Sequence, residues 1–198
     1  MKITRAYDLA YPEGVLRGGD VYVEIGCHKG RFLEESGLFN PTNTYHLVEP
    51  QPSFIKALGK RYRHNSNVNL HPVAIATQDG EAELWIVPGG CGSSLHYKER
   101  AEGSVAVRTI TLAMLMSWTG GARFLAVNAE GAEYSILHDR AALERVDYMA
   151  VEFHPGYSGF DTRKFVEANL AAQFETLAFL RDGDPYNIWV GRAHNATD

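Results

Sequence analysis

Val21-Tyr-Val-Glu-Ile25 runs directly into Gly26-Cys-His-Lys-Gly30, and this ten-residue stretch decides the fold of the chain. Its first half is a short apolar run rich in β-forming residues, which predicts a strand. Its two glycines allow a tight turn and let the backbone approach a ligand without an intervening Cβ. A helix is predicted from Arg31 to about Leu38, before Asn40-Pro41. A strand, a glycine turn and a helix in this order predict the opening of a parallel α/β sheet.

The alternation of strands and helices continues toward the C-terminus. Thr44–Val48 is a predicted strand, and the segment from Ser53 to about Arg63 has the apolar spacing of an amphipathic helix. The later elements are strands over Val68–Ala76, Arg123–Val127 and Tyr148–Phe153, with helices over Gly131–His138 and about Arg163–Ala172. This order predicts a mostly parallel sheet with helices on both faces.

Two segments depart from that alternation. Gln78-Asp-Gly80 is a turn signal, which predicts a hairpin between Val73–Ala76 and Ala82–Val87 in place of a crossover helix. The last predicted strands, Phe174–Phe179 and Asn187–Val190, are joined by a link too short for a parallel crossover, so they must be antiparallel. The sequence therefore predicts an α/β fold: a Rossmann-like, doubly wound, mostly parallel sheet with a C-terminal antiparallel strand and a β-hairpin insertion after the third strand.

The region after the predicted hairpin contains one more strand and one short helix. The strand is predicted over Val105–Ile110. Thr111 has the side chain of a helix cap, and Gly120-Gly121 ends the helix that it begins.

The size and composition of the chain are those of an ordinary globular protein. Its 198 residues, 45% hydrophobic and 22% charged, fit one domain over residues 1–198. No apolar run approaches the roughly 18–20 residues that span a bilayer, and the first residues lack the apolar core of a signal peptide. We therefore expect a cytoplasmic protein with no membrane partner, in which Cys27 and Cys91 are reduced and act as small fillers.

The charge of the chain argues against a nucleic-acid partner. Its formal net charge is −5, which gives no large electrostatic footprint for a phosphate backbone. The basic residues that do cluster are interpreted as a solvated helix face: Lys56, Lys60, Arg61 and Arg63.

Polar residues follow four predicted strands at the point where each strand ends. They are Glu24 with the glycine turn, then Glu49, then Asn128 with Glu130, and finally Glu152 with His154. Buried parallel strands are usually continuous apolar runs, so polar groups at their ends need a reason. Because open α/β sheets bind ligands beyond the carboxyl ends of their strands, these residues predict a ligand pocket.

The spacing within that pocket favours S-adenosylmethionine over a dinucleotide. Glu49 lies 23 residues after Gly26, the separation at which an acid accepts hydrogen bonds from ribose hydroxyls. A dinucleotide motif would place further glycines at positions 28 and 31, where this chain has His28 and Arg31. The missing glycine is the one that lets the backbone meet a pyrophosphate, and S-adenosylmethionine has none.

The same residues resemble the FkbM-type methyltransferases over about residues 20–155. The likeness consists of several short motifs in one order: Glu24-Ile-Gly-Cys-His-Lys-Gly30, Glu49-Pro50, the turn region Val73–Glu83, Ser93-Ser94-Leu95, Asn128-Ala-Glu-Gly-Ala-Glu133 and Glu152-Phe-His154. The resemblance implies an S-adenosylmethionine-dependent enzyme that methylates a hydroxyl of a small molecule or sugar. It further implies a cofactor site made of Glu24, Gly26, Cys27, His28, Gly30, Glu49, Pro50 and Asn128.

The chain departs from the family pattern at three positions. Glu24 stands where the family usually has Asp, and it keeps a carboxylate on a longer arm. Thr111 stands where an Asp often follows the preceding strand. Asn128 replaces the Asp of the family's most specific motif, which removes a charge close to the expected methyl-transfer centre.

The catalytic candidates are His154, Glu130 and Asn128. An alcohol nucleophile needs a proton acceptor, and the unperturbed pKa of histidine suits that role at neutral pH. His154 is the first candidate for this base and His28 the second; the alternative for His154 is packing against Pro155. Glu130 and Glu133 are candidates for orienting the substrate, although Glu133 equally suits a helix N-terminus. A metal is an open alternative, because oxygen and nitrogen ligands lie at neighbouring strand ends in Asn128, Glu130, Glu152 and His154. No local ligand spacing supports one, so none is expected.

A second function remains open at this point. Asn128 in place of an acid also fits a non-catalytic module, a degenerate methyltransferase fold that binds a nucleoside or a partner. Turnover of S-adenosylmethionine with an acceptor distinguishes the two.

Overall fold

The computed structural model describes residues 1–90, 92–180 and 187–197. Cys91, one of the two expected filler cysteines, lies outside the described residues, as does the 181–186 link between the last strands. The strands are β1 Ile3–Ala6, β2 Leu9–Pro12, β3 Val21–Ile25, β4 Thr44–Val48, β5 Val68–His71, β6 Ala74–Ile75, β7 Gly80–Ile86, β8 Gly103–Ile110, β9 Ala122–Val127, β10 Val146–Phe153, β11 Phe174–Leu180 and β12 Asn187–Ala193. The helices are α1 Arg31–Ser36, α2 Pro52–Arg61, α3 Leu112–Thr119, α4 Glu133–Ile136, α5 Arg140–Leu143, α6 Pro155–Ser158 and α7 Thr162–Asn169.

The central sheet has the predicted topology. In the described part of the chain it has seven strands in the order β11-β12-β10-β9-β3-β4-β5. The pairs β10–β9, β9–β3, β3–β4 and β4–β5 are parallel, whereas β12 is antiparallel to both of its neighbours. A Rossmann-like, mostly parallel sheet with a C-terminal antiparallel strand is therefore confirmed.

The register of the parallel strands aligns their carboxyl ends. Ile25 is paired with Val48 on one side and with Val127 on the other, and Val127 is paired with Val151. The residues that follow these positions therefore form one row along the sheet edge. This row contains Gly26, Glu49, Asn128 and Glu152, whereas Glu24 lies one position earlier, within β3.

Both faces of this sheet are covered by apolar layers, as expected for buried parallel strands. Consecutive residues of β3 point to opposite faces. Val23 packs in one layer with Leu125, whereas Tyr22 packs in the other against the rings of Tyr45 and Phe124. The strand ends are therefore held on a rigid, fully packed support.

The predicted β-insertion is present, but its predicted pairing is wrong. Val68–Ala76 is interrupted at Pro72, and the short piece Ala74–Ile75 pairs in parallel with Thr109–Ile110. Gly80–Ile86 pairs along its whole length with Gly103–Ile110, which forms the antiparallel ladder. β6 has only two residues, so the ladder of β7 with β8 is the longer pairing.

The end of α3 and the helix after β9 were also predicted. The Thr111 side chain accepts a hydrogen bond from the Met114 backbone N–H, and Gly120 ends α3 in the left-handed conformation. The helix predicted over Gly131–His138 is shorter, because only α4 forms there.

An N-terminal hairpin precedes the sheet and was not predicted. β1 and β2 are antiparallel, and only Tyr7 and Asp8 connect them. Leu9 and Ala10 are buried in the same apolar layer as Tyr22. This packing anchors the hairpin and brings its tip to the edge of the sheet where the parallel strands end.

Across the described residues, no helix combines the length and the apolar character needed to cross a membrane.

Candidate functional site

A cavity of about 250 Å³ lies at the carboxyl ends of the parallel strands. Its walls come from the loops after β3, β4, β9 and β10, from the insertion, and from the tip of the N-terminal hairpin. Five of the eight residues expected to bind the cofactor line it: Gly26, His28, Glu49, Pro50 and Asn128. The catalytic candidates His154 and Glu130 line it as well.

Strained backbone is concentrated around this cavity. In the described residues, three residues other than glycine have a positive φ: Tyr7 at 49°, His28 at 50° and Glu130 at 49°. All three line the cavity. Such a conformation costs on the order of 1–3 kcal/mol for each residue and is found mainly at functional sites. The strained residues therefore meet at one place, the wall of this cavity.

The glycine turn after β3 brings two strand ends into close contact. Gly26 has φ +75°, and a Cβ added to it would lie 1.7 Å from the backbone oxygen of Asn128. Gly30 has φ +72°, immediately before α1. Cys27 is buried in the apolar layer beside Phe32 and does not line the cavity. Gly26 and Gly30 thus shape the turn, and Cys27 is a filler, as expected for its thiol.

Glu24 and Glu49 are both buried carboxyl groups, with different positions. Glu24 lies below the cavity floor and accepts a hydrogen bond of 2.6 Å from the Tyr22 hydroxyl. Burial raises the pKa of Glu24 to about 8 despite that bond. Glu49 lines the cavity, and its two oxygens each accept a backbone N–H at 2.8 Å, one from His28 and one from Gln51. Burial raises the pKa of Glu49 to about 7, while these two bonds oppose the rise.

Asn128 joins the hairpin tip to β10. Its amide nitrogen donates one hydrogen bond of 2.9 Å to Asp8 and another of 2.7 Å to Glu152. Its Oδ1 atom is buried and has no hydrogen-bond partner in the described residues. The amide is therefore held in one orientation by two carboxylates, and it leaves one acceptor atom unsatisfied.

His154 lies between two carboxylates. Its Nδ1 atom is 2.9 Å from Glu133 and its Nε2 atom 3.3 Å from Glu130. Burial lowers the pKa of His154, but the negative charges of Glu133, Glu130 and Glu152 outweigh it and raise the pKa to about 9. A pKa raised in this way favours the charged form at neutral pH, which works against the expected base, a neutral imidazole with an ordinary pKa. Burial lowers the pKa of the second candidate, His28, to about 4.

Glu133 and Glu130 differ in how far their side chains are exposed to the cavity. Glu133 is fully buried and accepts hydrogen bonds from the backbone N–H groups of Ala129 and Gly131 as well as bonding His154. It therefore shapes the loop after β9, and it does not line the cavity. Glu130 keeps 24% of its side chain exposed and faces the cavity. Its strained backbone is held by Ser94, whose hydroxyl donates to the Glu130 carbonyl at 2.6 Å.

The sequence did not point to several residues of this site. Tyr7 and Asp8 come from the unpredicted hairpin, and no local spacing in the sequence connects them to the strand ends. Gln51 and Phe54 could have been found, since Gln51 directly follows the Glu49-Pro50 motif and Phe54 comes three residues later. Gln51 is buried, and its Oε1 atom has no hydrogen-bond partner in the described part of the chain.

Within the described residues, no group of three or more His, Cys, Asp or Glu side chains is arranged to hold a metal ion.

The charge on His154 predicts how stability depends on pH. Its pKa is raised above 6.5 in the folded state, so its stabilising effect is complete below pH 6.5 and is lost as the pH rises through about 9. The shift corresponds to about 3 kcal/mol. We expect the free energy of unfolding of the wild type to fall by that amount relative to His154→Gln between pH 6 and pH 9.5. Urea denaturation at several pH values measures it, and parallel curves for the two proteins would argue that His154 is neutral.

A comparison with protein families assigns most of the chain to one family. A family model described as the methyltransferase FkbM domain matches residues 24–182. No curated protein sequence matches the chain.

Several solved structures share the fold. The fibrillarin pre-rRNA processing protein of Methanococcus jannaschii is 8% identical, with a TM-score of 0.58 over 93% of this chain and 70% of that one. An rRNA methylase of Streptococcus thermophilus is 10% identical, with a TM-score of 0.56 over 90% and 89%. The fibrillarin of Aeropyrum pernix, solved with natively bound S-adenosyl-L-methionine, is 10% identical, with a TM-score of 0.54 over 88% and 67%. At such identities the likeness concerns the fold alone.

Proposed function

Since this chain belongs to the FkbM methyltransferase domain family, whose model spans residues 24–182, we propose that it methylates a hydroxyl of a small molecule or sugar. S-adenosylmethionine is the cofactor and supplies, when bound, a methyl group activated by a sulfonium. The observation that carries the proposal is the distribution of groups in the cavity. Glu49 lies after β4, whereas Glu130 and His154 lie after β9 and β10, so one cavity can hold a nucleoside at one end and react at the other.

The residues at the Glu49 end fit the adenosine part of the cofactor. The Glu49 carboxylate is oriented by two backbone N–H groups, and its remaining lone pairs can accept hydrogen bonds from ribose hydroxyls. Beside it, the Gln51 Oε1 atom is a buried acceptor without a partner in the described residues, as expected where a ligand donor is to bind. Phe54 and Ile75 add apolar surface to the same part of the wall. Gly26, His28 and Pro50 complete this end.

The acidic walls at the other end fit a cationic cofactor and a proton-losing acceptor. Asp8, Glu130 and Glu152 line the cavity there, and a sulfonium gains from their negative charges. With S-adenosylmethionine bound, the acceptor oxygen would form a bond to the methyl carbon as the carbon–sulfur bond breaks, which would release S-adenosylhomocysteine and leave the acceptor's proton for a protein base. We propose that the partly exposed Glu130 carboxylate takes that proton and that the His154 cation holds Glu130 in position. Asn128 orients the neighbouring carboxylates.

We expect Glu49→Ala to weaken cofactor binding while the fold survives. Loss of charge-assisted hydrogen bonds to ribose costs about 1.5–3 kcal/mol, which is roughly a ten- to hundredfold fall in affinity. Calorimetry with S-adenosylhomocysteine measures the change, and Glu81→Ala, an exposed glutamate of β7 outside the cavity, is the control. An unchanged dissociation constant would show that Glu49 ends its strand without binding the cofactor.

The acceptor class is supported by charge. The net charge is −5 and the reacting end is lined by carboxylates, so a polyanion would be repelled there. This favours a neutral or basic small molecule over RNA, although one protein that shares the fold is an rRNA methylase.

The experiment that tests the proposal is transfer of a labelled methyl group from S-adenosylmethionine to a panel of acceptors. Sugars, phenols and other small hydroxyl compounds are compared with total RNA, and calorimetry compares S-adenosylhomocysteine with NAD. We expect label in a small hydroxyl compound and no binding of NAD. Label in RNA alone would contradict the acceptor class. Binding without any transfer would instead favour the non-catalytic, nucleoside-binding alternative.

A further inference from the structure

The tip of the N-terminal hairpin is part of the cavity although it lies outside the region that defines the family. The family model begins at residue 24, whereas Tyr7 and Asp8 precede it and line the cavity. Tyr7 adopts its strained conformation there, with φ 49°. A two-residue connection normally uses residues that tolerate positive φ, such as Gly or Asn, so an aromatic residue in that conformation needs a reason.

Asp8 is held in the cavity by a specific contact. The Asn128 amide donates to Asp8 at 2.9 Å and to Glu152 at 2.7 Å, so both of its amide protons are used by carboxylates. An aspartate at position 128 would instead place a third carboxylate within hydrogen-bond distance of the other two. The asparagine is therefore what allows the hairpin to bring a carboxylate to this end of the cavity.

Asp8 has more negative than positive groups around it. Glu35 and Glu130 act on it as negative neighbours, and His154 is the nearby cation. His154 already lies between Glu130 and Glu133. Among the described residues, none of the ion pairs involves Asp8. A cationic group of a ligand could therefore form an ion pair with Asp8.

The position of Asp8 along the sheet edge indicates which cation it meets. Glu49 follows β4 and Asn128 follows β9, with β3 between them. Two strand spacings separate these ends by roughly 10 Å. With ribose at Glu49, a ligand that extends along this edge would bring its methionine side toward Asp8. That moiety carries one α-ammonium group.

We propose that Asp8 binds the α-ammonium group of the cofactor's methionine moiety, with Asn128 as the residue that positions it. This inference rests on the proposed use of S-adenosylmethionine. It makes the N-terminal hairpin part of the cofactor site and explains why an asparagine stands on β9 at this point.

The test compares two ligands that differ only in that moiety. S-adenosylhomocysteine contains the amino acid, whereas 5′-methylthioadenosine keeps the adenosine and the thioether without it. We expect Asp8→Asn to lower the affinity for S-adenosylhomocysteine by roughly ten- to a hundredfold and to leave that for 5′-methylthioadenosine within about twofold. Glu13→Gln is the matched control, because Glu13 is exposed, contacts Lys2 and Thr4 of the same hairpin, and does not line the cavity.

A second variant keeps the test decisive if Asp8→Asn is unstable. The double variant Asp8→Asn with Asn128→Asp exchanges the two groups, keeps one carboxylate and one amide, and should recover part of the preference for S-adenosylhomocysteine. Equal losses for both ligands, or an unchanged preference in Asp8→Asn, would overturn the inference. A wild type that binds 5′-methylthioadenosine and S-adenosylhomocysteine equally would overturn it too, with the proposed function intact. A wild type that binds neither would overturn both.

Discussion

Glu130→Gln is expected to slow methyl transfer by roughly 10²–10⁴-fold, the range for loss of a general base, with little change in affinity for S-adenosylhomocysteine. Glu130 is the carboxylate that is both bonded to the His154 cation and still exposed to the cavity. Glutamine keeps its size and polarity but cannot accept a proton. The measurement is the initial rate of label transfer to the acceptor identified by the panel. Glu167→Gln, which replaces an exposed glutamate of α7, is the control.

The pH profile separates Glu130 from His154 as the base. Burial raises the pKa of Glu130 above its ordinary value, so the wild-type rate should rise with pH as that carboxyl ionises. It should then fall near pH 9, where His154 loses the charge that positions Glu130. His154→Gln should remove the alkaline fall. A wild-type rate that rises through pH 9 and a nearly normal Glu130→Gln enzyme would instead make His154 the base.

Gly26→Ala is expected to abolish measurable binding of the cofactor. The residue has φ +75°, and the new Cβ would lie 1.7 Å from the Asn128 backbone oxygen, which is a collision with main chain and not with a flexible side chain. Relief of the collision must separate β3 from β9 at the floor of the cavity. We expect an affinity loss of more than about a hundredfold, equivalent to roughly 3 kcal/mol, together with a lower melting temperature.

Gly37→Ala isolates the backbone part of that effect. Gly37 also has a positive φ, of 67°, but a Cβ there meets nothing within 4 Å. Its substitution should therefore cost only about 1–2 kcal/mol of stability and leave the affinity for S-adenosylhomocysteine unchanged. If both variants bind alike, the close approach of the two strand ends is not required for the cofactor.

Much of the fold was determined by local sequence signals. The strands at Val21 and Thr44 begin and end where predicted, because each is an apolar run bounded by turn residues. The placement of polar residues after the strands was also sufficient to predict the cavity, since parallel strands bring their carboxyl ends to one edge. Glu49, Asn128, Glu130 and His154 all line it.

Long-range pairing and burial decided the rest. The sequence favoured a hairpin across Gln78-Asp-Gly80, but the seven-residue ladder with Gly103–Ile110 is the longer pairing, and a local turn signal carries no information about it. The hairpin that presents Asp8 has strands of four residues, too short for a reliable pattern. The charge of His154 depends on Glu130 and Glu133, which reach it only because a strained loop folds back onto β10. Sequence determined which residues stand at the strand ends, and tertiary structure decided their protonation and partners, because charge depends on distances that only the folded chain sets.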